Sequence, residues 1–243
     1  MTRPVPRKEW FETAISKLYQ TLPQPRAVGH EGNTVYRFEN PSILHAIFLK
    51  SVRYVSGLNA GQTLFDLGFF QELGTLQRTL DEFQEDVLFL SLAVHSDDIT
   101  KMHNSYLDAF WQEERDFPEF RRDQRNRYSV PRKKVHAYIS RMSNGGRQDA
   151  EGEALGKYLS SENFGFVHGA ASHILDLYDP KLDRFDVQGV SDPDLRLDHE
   201  RDWQNYHFRG LIVIAFAAKS LGAQELLADA TEIHARLTPH YVK

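Results

Sequence analysis

"LGTLQRTLDEFQEDVLFLSLAV", Leu73 to Val94, decides the fold class. Leu73, Leu76, Leu80, Phe83, Val87 and Leu90 step by three and four without a break. That spacing lines one face of an α-helix that lies against a partner. The same period recurs through most of the chain, and alternation of the strand type is nearly absent. The expectation is an all-α protein, a single-domain bundle of about seven to nine helices. Working outward from Leu73–Val94, helices are expected at 7–21, from Pro41 (Asn40 as cap) to 56, at 60–94, and through "ITKMHNSYLDAFWQEERDF". Further helices follow from Pro131, at 150–177, at 199–221 and at 224–237. The single domain is read over 1–243, with long loops at 22–40 and 178–198; "TVYRF" in the first suits a short strand.

Composition narrows the function classes. With 41% hydrophobic and 12% aromatic residues a core can form, and a net charge of −5 excludes a basic coat for nucleic acid. There is no cysteine, which removes disulfides, thiolate catalysis and cysteine-based zinc sites. The N-terminal stretch has no apolar signal core, and the longest strongly apolar run is Leu211 to Ala218, well short of the ~20 residues a bilayer requires. A cytoplasmic protein with no membrane partner is expected. Phosphate-cradling loops, nucleophile elbows and dinucleotide fingerprints do not occur. Neither does the Glu-x-x-His of di-iron bundles, so no metal and no cofactor are read from the sequence.

Chemistry-bearing residues gather in four places. "FVHGAASH", Phe166 to His173, holds two histidines around four small residues. Five apart, His168 and His173 sit about 140° apart on a helix and cannot clasp one metal ion. The stretch reads either as a close helix contact or as part of a pocket. In the second case His168 and His207 would line one cavity. His173 has Asp176 three residues on, a surface pair or an oriented base. The long helix carries a polar ridge of Gln71, Thr75, Arg78, Glu82 and Glu85, which its apolar flanks suggest is partly covered. A basic patch, with Arg121, Arg122, Arg125, Arg127, Arg132, Lys133 and Lys134, interleaves with aromatics, as phosphate or single-strand contact requires.

"GTLQRTLDEFQED" followed by "YLSSENFGFVHGAASH" resembles the layout of prokaryotic HEPN-like helical proteins, through Arg78, Glu82, Tyr158, Ser161 and His168. The likeness spans about 43–177. Catalytic members of that superfamily are metal-independent ribonucleases with Arg, four to six residues, then His near the start of a late helix. "RDWQNYH", Arg201 to His207, fits that pattern. The resemblance implies that His207 serves as acid/base for attack by a ribose 2′-hydroxyl, that Arg201 stabilises the phosphate, and that RNA is a partner in a stress or defence setting. Two other readings stand beside it: a non-catalytic helical interaction protein with structural histidines, which homodimerises through an apolar helix face, and a bundle that binds a small ligand.

Overall fold

The computed structural model describes residues 4–30, 33–112, 130–143 and 164–241. Among these, helices dominate: α1 Lys8–Tyr19, α2 Ile43–Asp66, α3 Phe70–His95, α4 Lys101–Trp111, α5 Arg132–Ser143, α6 Phe164–His168, α7 Ala171–Leu175, α8 Pro193–Ser220 and α9 Gln224–Leu237. The expected helical class is what the chain adopts. Two antiparallel hairpins complete it: β1 Arg26–His30 with β2 Asn33–Arg37, and β3 Tyr178–Asp179 with β4 Arg184–Phe185.

α2, α3 and α8 pack on one another as a central three-helix layer. α1 lies on α2 and α8, α9 on α8, α4 on α2, and α5 and α6 on α3. One main apolar core runs through these contacts, with Leu73, Leu80, Val87 and Leu90 of the α3 stripe buried.

Helix ends differ from expectation where glycine acts as a contact. The break expected after residue 56 is absent, because Gly57 and Gly61 are interior residues of α2. A Cβ on Gly57 would lie 2.6 Å from Leu80 Cδ2, and one on Gly61 2.2 Å from the Trp203 ring. These glycines bring α3 and α8 close, which outweighs their low helix propensity. The break falls instead at Gly68, whose φ of +77° ends α2. The Val190 N–H there donates to the Gly68 carbonyl at 2.9 Å. Ser42, not Asn40, caps α2. The 22–40 loop contains a full hairpin, whose second strand, Asn33–Arg37, takes in all of "TVYRF" but Phe38.

The 150–177 helix is corrected from 164 onward; its first part, including Tyr158 and Ser161, lies outside the described residues. Gly169, with φ +60°, separates α6 from α7. "FVHGAASH" therefore spans two short helices. It is also not a close helix seam: Gly169, Ala171 and Ser172 are exposed, and a Cβ on Gly169 would meet only Ile174 Cδ1 at 3.6 Å.

Candidate functional site

The polar ridge of α3 is covered at both ends. At its start, Gln71 Nε2 donates to the His173 carbonyl, and the Phe166 ring fills the space above Gly74, where a Cβ would come within 2.3 Å. At its end, Arg132 of α5 pairs with Glu85 and Asp86, Lys50 Nζ lies 2.7 Å from Asp86 Oδ2, and His136 Nε2 lies 2.9 Å from Glu85 Oε1. Burial works against the charge on Glu85, but His136 and Arg132 outweigh it and lower its pKa. Between the two covers, Arg78 Nη2 pairs with Glu82 Oε1 at 3.2 Å, as the i, i+4 spacing allows.

The inward flank of α3 beside this ridge carries a second charged network that the sequence reading missed. Asp81 and Gln84 face the interior. Arg209 Nη2 lies 2.7 Å from Asp81 Oδ1, and its Nε donates to Gln84 Oε1 at 2.6 Å. Tyr206 Oη donates to Asp81 at 3.1 Å, and Tyr54 Oη donates to the Tyr206 carbonyl at 2.9 Å. The Arg209–Asp81 pair thus ties α8 to α3, and the Tyr54 hydroxyl ties α2 to α8 beside it. Burial pushes the Tyr54 phenol far up, so it is a donor throughout the physiological range.

Histidines in this protein are mostly packing groups. His207 lies edge-on to Trp203 with centroids 5.0 Å apart, and its Nδ1–H donates to the Trp203 carbonyl at 3.2 Å. Burial lowers its pKa. Arg201 is exposed on the same helix, α8, which begins at Pro193, so the pair sits about two turns inside rather than at its start. Six positions apart, the two side chains leave the helix about 120° from each other. His199, absent from the sequence reading, stacks on Phe70 at 4.5 Å, and burial lowers its pKa as well. Phe166 packs on His173 at 4.1 Å and reaches His199 at 6.0 Å. His168 is exposed on α6.

Two further histidines were legible as caps. In "SILH" the Ser42 N–H donates to His45 Nδ1 at 3.2 Å, and in "TKMH" the Thr100 N–H donates to His103 Nδ1 at 3.0 Å. His takes the place of the Glu or Gln of a capping box, which is the signal the sequence offered. Both Nε2 atoms are buried with no hydrogen-bond partner among the described residues, and burial lowers both pKa values.

Of the basic patch, Arg121, Arg122, Arg125 and Arg127 lie outside the described residues. Arg132 is turned inward onto Glu85 and Asp86, while Lys133 and Lys134 are exposed. α5 packs on α3, whereas Arg201 and His207 stand on α8. Among the described residues no group of three His, Asp or Glu has metal-binding geometry.

The outward face of 164–198 has the opposite character. Val167, Ile174, Leu175, Tyr178, Leu182, Phe185, Val187 and Leu197 are all exposed, Leu175 by 60% and Val187 by 74%. Seven aspartates against three cations surround them between 176 and 198. A cavity of about 310 Å³ opens in this face, with Leu175, Tyr178, Asp176, Asp179, Asp186 and Asp192 in its lining. Asp179 caps the turn at Lys181 and Asp192 caps α8, each through Oδ1. Asp186 Oδ1 accepts from Arg184 Nε at 3.0 Å. Asp176 is exposed at the edge.

No helix among the described residues is long and apolar enough to cross a membrane. No protein-family model, no curated protein and no solved structure matches this chain.

Proposed function

We propose that this is a non-catalytic helical interaction protein. Its histidines and inner charges hold the bundle together, and the 164–198 face binds a basic, apolar segment of a partner protein. The observation that carries this reading is a segment rich in exposed apolar side chains, two of which, Leu175 and Tyr178, line a cavity whose charged lining among the described residues is four aspartates and Lys181. Contiguous exposed apolar surface marks interaction sites. An acid rim attracts Lys or Arg and repels phosphate.

A direct test titrates the protein against two labelled amphipathic peptides, one of Leu and Lys and one of Leu and Glu, by fluorescence anisotropy. The Leu/Lys peptide should bind and weaken with salt, and the Leu/Glu peptide should not. Equal binding of both, or of neither, would remove the reading.

The competing proposal is the HEPN-like one, RNA binding or metal-independent cleavage by Arg201 and His207. It is tested with a mixed single-stranded RNA pool in EDTA. Cleavage by the wild type that is lost in a folded His207→Ala variant would establish catalysis and overturn the non-catalytic reading, since acid/base transfer contributes roughly 10²–10⁴-fold. Self-association through the same apolar face is the third outcome, read by sedimentation velocity.

A further inference from the structure

At the far end of the molecule the chain termini build a groove of about 560 Å³, a size typical of small-ligand sites. Its walls are Pro4, Val5, Pro6, Trp10, Ile233 and Leu237, and the charged or titratable residues that line it among those described are Arg7, Arg236 and His240. Among the described residues no carboxylate lines it, on a chain whose net charge is −5.

The walls are fixed in place. Trp10 Nε1 donates to Asp229 Oδ2 at 2.7 Å, which sets the indole plane. Tyr241 Oη donates to the Pro4 carbonyl at 2.9 Å, and the Tyr241 ring stacks on Phe208 at 4.3 Å. The extended 4–7 segment is thus pinned to the end of α9 before any ligand arrives. Arg7 and Arg236 are exposed, and neither guanidinium takes part in an ion pair or hydrogen bond among the described residues. Fixed apolar walls with guanidinium groups at the rim suit a ligand with a hydrocarbon body and one anionic head.

We infer that this groove binds a monomeric alkyl carboxylate, its chain against Trp10, Ile233 and Leu237 and its carboxylate on Arg7 and Arg236. A guanidinium can receive a carboxylate through two parallel charge-assisted N–H···O bonds, whereas a neutral head gains only a weaker single bond and a cationic head is repelled.

Isothermal titration calorimetry with decanoate below its micellar concentration tests this. Decanoate should give a saturable isotherm, with acetate, decanol and decyltrimethylammonium each at least tenfold weaker. Arg7→Glu and Arg236→Glu, both at exposed positions, should each lower decanoate affinity roughly tenfold, or 1.4 kcal/mol. Ile233→Trp, which fills the groove and leaves both arginines, should abolish the isotherm; a melting curve shows whether that variant folds, and the arginine variants decide if it does not. No saturable heat with decanoate, equal affinity of decyltrimethylammonium, or unchanged affinity in both arginine variants would overturn the inference.

Discussion

The central layer of α2, α3 and α8 buries charge, while the 164–198 face exposes hydrocarbon. Within the layer, Asp81, Gln84 and Arg209 meet below the surface of the bundle. On the outer face, Leu175, Leu182 and Val187 stand in solvent. The usual arrangement is the reverse. The difference separates two roles. A buried ion pair adds little net stability against a well-packed apolar substitute, but breaking it is costly, so it fixes which helix faces which. An exposed apolar face contributes nothing to the isolated fold and is the surface a partner would remove from water.

The sharpest way to break the comparison is at the interior. Arg209→Leu removes the guanidinium that pairs with the buried Asp81 carboxylate, and should cost about 3–5 kcal/mol in urea unfolding. The double variant Asp81→Leu with Arg209→Leu should recover a large part of that loss. If the double variant loses as much as Asp81→Leu and Arg209→Leu added together, the pair does not act as a unit.

Arg132→Met removes the cation that α5 sets on Glu85 and Asp86, one turn along α3 from Asp81, and should cost less, about 1–3 kcal/mol. Asp86 keeps Lys50 at 2.7 Å and Glu85 keeps His136 at 2.9 Å, so neither carboxylate is stranded. A loss as large as that of Arg209→Leu would show that α5 is held by this one residue.

Acid provides a third test. His45, His95, His103, His199 and His207 all have pKa values lowered first by burial. Below the ordinary imidazole value of about 6.5 the unfolded chain takes up protons that the native histidines refuse. Stability should therefore be full above that value and fall as pH drops through it. Glu85, whose pKa is lowered, adds a further loss once pH passes below the ordinary carboxylate range. Denaturant midpoints at pH 7.5, 6.5 and 5.5 should decrease in that order, and a flat series would mean the histidines are not buried as described.

Gly169 gives a smaller effect with a different cause from the one the sequence suggested. Gly169→Ala should cost about 1–2 kcal/mol because φ is +60° there, although its Cβ has room. An unchanged melting temperature would indicate that α6 and α7 are continuous.

These cases mark what was legible. The period-3.6 stripe of α3 is visible because burial on one face forces it, and Leu73, Leu80, Val87 and Leu90 are buried as that stripe requires. Gly57 and Gly61 misled because a contact glycine and a breaking glycine look alike in one sequence; only the facing Leu80 and Trp203 tell them apart. The ridge residues Arg78 and Glu82 paired as spacing allowed, whereas the Asp81–Arg209 contact joins residues far apart in the chain and leaves no local pattern. His207 falls beside the buried stripe of α8, a place periodicity could give, but its tautomer follows from the Trp203 carbonyl. The exposed face was hidden because its leucines and valines lie in loops and short helices, where periodicity says nothing about which side faces water.

The smallest expected stability change accompanies the largest expected functional one. Leu175→Ser and Val187→Ser should each alter unfolding free energy by less than about 0.5 kcal/mol, because both side chains already stand in solvent. The most direct measurement is the anisotropy titration of the Leu/Lys peptide against wild type and against this double variant at matched stability. The account predicts saturable binding to the wild type and loss of about tenfold or more in affinity in the variant, while a peptide that binds both proteins equally, or binds neither, would contradict it.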